Sequence, residues 1–178
     1  PGWLAGHYSL EECQINLGPL IAAAQGELTL DKVIRLDANQ QCLETASGQL
    51  IQYDLLSINI GSETALPASS VSNLIPIRPL ERLLTAWPQI LNNAQQDNYQ
   101  LAVLGGGAAG IELALAIQYA FQQKDTKAQV HLIAPKLLAD HAPTVQQRVQ
   151  RQLAKAGVQV HSAKASIEQG TLFLENGK

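Results

Sequence analysis

The stretch Leu101-Ala-Val-Leu-Gly-Gly-Gly-Ala-Ala-Gly-Ile-Glu112 decides the fold of this chain. An apolar run typical of a strand leads into glycines spaced Gly105-x-Gly107-x-x-Gly110, and a helical pattern follows. Gly105 permits a tight turn, Gly107 leaves room for a pyrophosphate at the backbone, and Gly110 lets the helix pack closely on the strand. The free N–H groups and positive dipole end of that helix attract phosphate. The pattern predicts dinucleotide binding, and the alternative is a glycine-rich turn that binds no nucleotide. The predicted cofactor-binding residues are Gly105, Gly106, Gly107, Ala108, Ala109 and Gly110.

The second half of the chain alternates between strand and helix patterns. Such alternation predicts an α/β fold with a parallel sheet and right-handed crossovers. The predicted elements are a strand at 100–104, a helix at 108–123, a strand at 130–133, a helix starting near Pro143 and ending before Gly157, and a strand at 158–160.

The first half of the chain shows a different pattern of predicted helices and strands. A capping box at Ser9–Glu12 predicts a short helix start, and Asn16 can cap a helix over 17–24. Strands are predicted at 33–36, 42–45, 50–53 and, as a buried apolar run, at 55–60. Residues 63–79 are loop-like, and a helix over 80–95 follows, with Pro88 at a position that breaks or kinks helices.

Composition narrows the classes of function. With 12 Lys and Arg against 15 Asp and Glu the net charge is −3, so nothing favours nucleic acid as a partner. No apolar stretch approaches the ~20 residues of a membrane-spanning helix. The cysteines and histidines show no metal-ligand spacing, and we expect no metal site. The chain contains no Met, and its last residues predict a strand entering a hairpin turn whose partner is missing. We therefore expect an internal fragment of a longer protein.

The end of the second parallel strand bears on the choice of nucleotide. In such folds an acid there often hydrogen-bonds the ribose hydroxyls, whereas this chain has Ala134-Pro135-Lys136. Lys136 could attract a 2′-phosphate, but a single loop lysine is more often merely solvated. The sequence leaves NADH versus NADPH open.

Three segments together resemble a known family. They are Pro1-Gly-Trp-Leu-Ala-Gly-His-Tyr8, Tyr53-Asp-Leu-Leu-Ser-Ile-Asn-Ile-Gly-Ser62 and the glycine motif. In this order they resemble the FAD-dependent pyridine nucleotide-disulfide oxidoreductases. The chain is most similar to type II NADH dehydrogenases and to the flavoproteins fused to selenide water dikinase.

The resemblance implies a flavoprotein with two dinucleotide-binding domains. Residues 1–75 would be part of an FAD-binding domain, and residues 76–178 would be a Rossmann-like NAD(P)H-binding domain. Ile60 and Gly61 match a position whose backbone lies near the flavin, and Val33 matches one beside the FAD adenine. Glu112 matches a glutamate directed toward the flavin, with simple stabilisation of the helix start as the alternative.

Departures from the family pattern qualify these expectations. The first FAD glycine motif and the C-terminal flavin-contacting segment do not occur in this sequence, so we expect the fragment alone to hold FAD weakly and to be inactive. The redox C-x-x-x-x-C of disulfide reductases is also missing from this sequence, which disfavours a disulfide substrate unless that motif lies upstream of Pro1.

The expected function is hydride transfer from NAD(P)H to FAD and on to a small-molecule acceptor such as a quinone. The alternatives are a non-catalytic dinucleotide-binding or regulatory module and a Rossmann-like domain whose glycines serve packing alone. The expected location is cytoplasmic. Attachment of the full-length protein to the inner face of the membrane, and a homodimeric state, are left open.

Overall fold

The computed structural model describes residues 1–64 and 73–175, and the chain divides into two compact units. The smaller unit is Gln14–Gly61, and the larger contains Pro1–Cys13 and the described residues from Ser62 onward. Part of the predicted loop, 65–72, and the predicted turn at 176–178 lie outside the described residues. The boundary predicted between residues 75 and 76 separates two cofactor sites. The division into compact units does not test that boundary, so it stays a prediction.

The smaller unit is a capped helix and a three-stranded antiparallel sheet. Helix α1, Leu17–Ala23, starts where the Asn16 Oδ1 accepts a hydrogen bond from the Gly18 N–H at 3.0 Å. The strands are β1 (Val33–Asp37), β2 (Cys42–Thr45) and β3 (Leu50–Gln52), in the order β1-β2-β3. The cap and these three strands confirm the sequence prediction.

The apolar run at 55–60 forms no strand, so that prediction is wrong. Leu55 is 91 % exposed and Ile60 90 % exposed. A strand needs a neighbour that pairs with its N–H and C=O groups. No strand among the described residues pairs with this run, so apolar character alone does not make it β structure.

The larger unit is built on a three-stranded parallel sheet. Its elements are α2 (Leu80–Asn93), β4 (Gln100–Leu104), α3 (Ala108–Gln123), β5 (Gln129–Ile133), α4 (Pro143–Ala156), β6 (Gln159–His161), β7 (Ala165–Glu168) and β8 (Thr171–Leu174). The sheet order β4-β5-β6, with both pairings parallel, confirms the predicted fold class. Helix α2 runs through Pro88 without a break, and α4 ends where Gly157 adopts φ 81° as a C-cap.

Aromatic and aliphatic side chains join the sheet to its helices. Phe121, Val130, Leu132 and Leu153 are fully buried. The ring of Phe121 stacks on Trp87 of α2, with 6.5 Å between centroids. Trp3 lies 6.4 Å from that same Trp87 ring, and this contact helps place Pro1–Cys13 in the larger unit.

The chain ends in a hairpin of its own. Strand β8 pairs antiparallel with β7 through a turn at Gln169 and Gly170, whose φ angles are 48° and 83°. Positive φ at both central residues is typical of the tight turns that match strand twist. Strand β8 therefore has one partner upstream. The partner expected beyond the turn at 176–178 is not tested, because that turn lies outside the described residues, and it stays a prediction. Strand β7 escaped prediction because Ile167 is its only large apolar residue.

Candidate nucleotide-binding site

The glycine loop leaves the sheet at the carboxyl end of β4. The Gly105 N–H donates to the Ile133 carbonyl at 3.0 Å, which extends the pairing of β4 with β5 by one residue. Gly105 has φ 122°, a region that side-chain-bearing residues rarely adopt. The chain then reaches Gly107, the N-cap of α3. The predicted strand, tight turn and helix are thus confirmed.

Two of the glycines are required by packing inside the protein. A Cβ on Gly110 would overlap the carbonyl oxygen of Gly105, so the start of α3 lies directly against the loop. A Cβ on Gly106 would overlap the carbonyl oxygen of Lys136 and come within 2.8 Å of the Ala134 Cβ. The Leu138 N–H also donates to the Gly106 carbonyl at 2.8 Å. The segment after β5 is therefore packed on the glycine loop.

Gly107 differs from both of these residues. A Cβ on Gly107 would meet no protein atom within 4 Å, so the space over it is open. In the described structure the N–H groups of Gly107, Ala108 and Ala109 have no hydrogen-bond partner, and no side chain caps the helix. Open space beside unpaired N–H groups at a helix start suits a phosphate. The residues present therefore fit the pyrophosphate of a dinucleotide.

An open cleft of about 520 Å³ lies at this edge of the sheet. Its walls combine the glycine loop with the segments that follow β5 and β6. They comprise Leu104, Gly105, Gly106, Gly107, Ala108, Ile133, Ala134, Pro135, Lys136, Leu138, Ala139, Asp140, His141, Ala163, Lys164 and Ala165. Of the predicted site residues, Ala109, Gly110 and Glu112 belong to the same loop and helix but are not among these walls.

Sequence reasoning missed three charged or titratable residues of the cleft. Asp140 and His141 end the segment after β5, and Lys164 follows β6. The carboxyl ends of parallel strands lie at one edge of a sheet, which is where ligands bind in such folds. Applying that rule to β6 as well as to β5 would have found Lys164.

Glu112 lies on the exposed surface of α3 as its fifth residue. The first turn of α3 contains no acidic residue, so Glu112 lies just beyond that turn. The effect of a helix dipole falls off within the first turn, which weakens the helix-start interpretation. Among the described residues the Glu112 carboxylate forms no ion pair that would hold it for a structural reason.

The remaining predicted residues belong to the smaller unit. Val33 opens β1 and is 48 % exposed. Ile60 and Gly61 end the unit, Ile60 with its side chain in solvent and Gly61 with φ 72°. These three residues stay predicted FAD contacts.

Two negative findings apply to residues 1–64 and 73–175 alone. Within them, no group of three or more His, Cys, Asp or Glu side chains is arranged to hold a metal ion. None of their helices combines the length and apolar character needed to cross a bilayer.

Comparison with known proteins identifies the family. The sequence model described as pyridine nucleotide-disulphide oxidoreductase matches residues 18–177, which is most of the chain. This chain belongs to the pyridine nucleotide-disulphide oxidoreductase family. Proteins of this family use FAD and NAD(P)H.

Two curated relatives of this chain are ferroptosis suppressor proteins 1. The human protein is 25 % identical over 131 residues, and the mouse protein is 24 % identical over 129 residues. Each alignment covers 72 % of this chain and 33 % of the relative. The alignment thus spans about a third of the length of these proteins.

Solved structures share the fold. Putidaredoxin reductase, in its covalent complex with putidaredoxin, superposes with a TM-score of 0.72 at 22 % identity, covering 99 % of this chain and 44 % of that one. A ferredoxin reductase from Rhodopseudomonas palustris superposes with a TM-score of 0.71 at 18 % identity. The superposition covers 93 % of this chain and 41 % of the reductase. NADH:rubredoxin oxidoreductase from Clostridium acetobutylicum superposes with a TM-score of 0.64 at 19 % identity. The superposition covers 92 % of this chain and 42 % of that protein.

Proposed function

We propose that this chain is part of an FAD-dependent NAD(P)H oxidoreductase and that the cleft beside the glycine loop binds NAD(P)H. The observation that carries the proposal is the open space over Gly107 beside unpaired N–H groups. The pyrophosphate would lie there, against Gly105, Gly106, Gly107 and the start of α3. Family membership supports the same nucleotide.

The protein contributes binding and orientation to this chemistry. NAD(P)H supplies a hydride and FAD accepts it. We propose that the N–H groups of Gly107, Ala108 and Ala109 hold the pyrophosphate, and that Gly110 keeps α3 close enough for them to do so. Glu112, exposed and without an ion pair among the described residues, would place a negative charge beside the flavin.

The FAD contacts proposed in the smaller unit are Val33, Ile60 and Gly61. Val33 would lie beside the adenine, while the backbone of Ile60 and Gly61 would approach the flavin. The exposed apolar run ending at Ile60 supports this assignment, because a flavin ring or its surrounding domain would remove that surface from water.

The electron acceptor is proposed by class. We propose a small molecule, with a quinone as the candidate that the resemblance to type II NADH dehydrogenases favours. The names of the solved relatives associate them with putidaredoxin, ferredoxin and rubredoxin, so a small redox protein is the second candidate. We also propose a cytoplasmic location for the full-length protein, while its attachment to the inner face of the membrane and its oligomeric state stay open.

Gly107→Val in the full-length protein tests the nucleotide site. The fold should persist, because the added Cβ meets no protein atom within 4 Å. Affinity for NADH should fall at least tenfold, which is about 1.4 kcal/mol, because the side chain occupies the space for the pyrophosphate. Calorimetric titration of both proteins measures this, and equal affinity would refute the site.

The colour of the full-length protein separates the enzyme from the alternative. A yellow protein that bleaches when NADH is added supports the oxidoreductase. A colourless protein that binds NADH without turnover supports a non-catalytic dinucleotide-binding module.

A further inference from the structure

The cleft contains a second cationic side chain that the sequence pattern did not reveal. Lys136 follows β5 and Lys164 follows β6, and both line the cleft that begins at the glycine loop. Because β5 and β6 are parallel neighbours, their carboxyl ends bring both lysines to one edge of the sheet.

We propose that this cleft selects NADPH over NADH, with Lys136 and Lys164 as the residues that recognise the 2′-phosphate. The inference rests on the proposed function, because it assigns the ribose end of the same nucleotide site.

The backbone places Lys136 beside the pyrophosphate loop. The carbonyl oxygen of Lys136 lies where a Cβ of Gly106 would fall, and two residues later Leu138 donates to the Gly106 carbonyl at 2.8 Å. In dinucleotide-binding folds the end of the second strand is where the ribose is recognised, and a basic side chain there accommodates a 2′-phosphate. At that point the chain carries Ala134, which is 4 % exposed and bears no charge. No carboxylate directly ends β5 to accept the ribose hydroxyls or repel a phosphate.

The charges of the cleft favour an additional phosphate. Two lysines line the cleft against one carboxylate, that of Asp140, in a chain whose net charge is −3. Across the described residues Lys136 forms no ion pair. The Lys164 Nζ lies 3.9 Å from the Glu175 carboxylate, with both side chains largely exposed. An ion pair of that length in solvent is weak, so Lys164 can turn to a phosphate.

The test compares NADP⁺ with NAD⁺, which bind without reducing the flavin. Calorimetry on the full-length protein should give about tenfold tighter binding of NADP⁺, since exposed charge pairs contribute about two- to fivefold each. Lys136→Gln and Lys164→Gln should each lower that ratio, and the double variant should bring it close to one. Lys136→Glu should reverse it. Lys155→Gln removes an exposed lysine on α4 outside the cleft, and it should leave the ratio unchanged.

A simpler probe isolates the phosphate. Adenosine 2′,5′-bisphosphate should bind more tightly than 5′-AMP, and the difference should shrink when the ionic strength rises from 0.05 to about 0.5 M. Thermal melts establish that each variant is folded. The ratio of NADP⁺ to NAD⁺ affinity in the wild type tests the proposal even if a variant does not fold.

The outcomes separate the two proposals. Equal or tighter binding of NAD⁺ by the wild type, or a ratio that both lysine variants leave unchanged, would overturn the selection of NADPH while the nucleotide site stands. If neither NADP⁺ nor NAD⁺ binds, or if Gly107→Val does not weaken the binding, the nucleotide site itself would be overturned.

Discussion

The same substitution, glycine to serine, should have opposite effects at two positions of the glycine loop. At Gly107 the new Cβ meets no protein atom, and the backbone at φ −76° and ψ 175° already has the extended conformation of an N-cap. Serine is a better N-cap than glycine, so Gly107→Ser should raise the free energy of unfolding by a few tenths of a kcal/mol. The same Ser side chain should weaken nucleotide binding, because it occupies the open space.

Gly110→Ser should destabilise the protein. Its Cβ would overlap the Gly105 carbonyl oxygen, which is backbone and can yield only if α3 moves. Overpacking of this kind costs about 1–3 kcal/mol, and the helix propensity of Ser over Gly returns about 0.5 kcal/mol. The net loss should be about 0.5–2.5 kcal/mol.

Urea unfolding of the wild type and of the two variants measures both effects. The midpoint should rise slightly for Gly107→Ser and fall for Gly110→Ser, with the slope unchanged. Titration with NADP⁺ completes the comparison, since Gly107→Ser should bind it at least tenfold more weakly. An unchanged midpoint for Gly110→Ser, or a Gly107→Ser variant that is destabilised and still binds normally, would refute the division of the loop into packing and binding glycines.

Two further predictions concern charge. Glu112→Gln in the full-length enzyme should leave the affinity for NADH and the melting temperature unchanged. It should slow flavin reduction or reoxidation, measured by stopped flow, because the electric field at the flavin changes. Unaltered rates in both half-reactions would assign Glu112 no catalytic role. Burial, and secondarily the neighbouring His161, lower the pKa of His131, whose Nδ1 lies 2.9 Å from the His161 Nε2. Since the unfolded chain then binds the proton more tightly, the contribution of His131 to stability is present above its ordinary pKa of 6.5 and is lost as the pH falls below that value. As the pH falls from 7.5 to 5.5, the urea concentration at the unfolding midpoint should therefore decline more steeply for the wild type than for His131→Gln. Parallel curves of midpoint against pH would contradict this.

Local sequence determined the elements whose stabilising interactions are local. Apolar periodicity and the glycine spacing placed β4, the turn and α3, since a strand-to-helix turn of this kind depends on residues within one short segment. The Asn16 cap and the Gly157 C-cap were predicted for the same reason, because a cap bonds to backbone groups one turn away. The alternation of strands and helices was sufficient for the parallel sheet.

Tertiary structure alone decided the features that depend on distant neighbours. The apolar run at 55–60 is not a strand, because no described strand pairs with it. Gly106 appeared to be one more residue of the motif, and only the fold shows the segment around Lys136 packed against it. Lys164 lies 28 positions after Lys136 in the sequence, yet both line one cleft. The physical reason is that parallel strands bring their carboxyl ends to a common edge, so the composition of a site there depends on which strands pair.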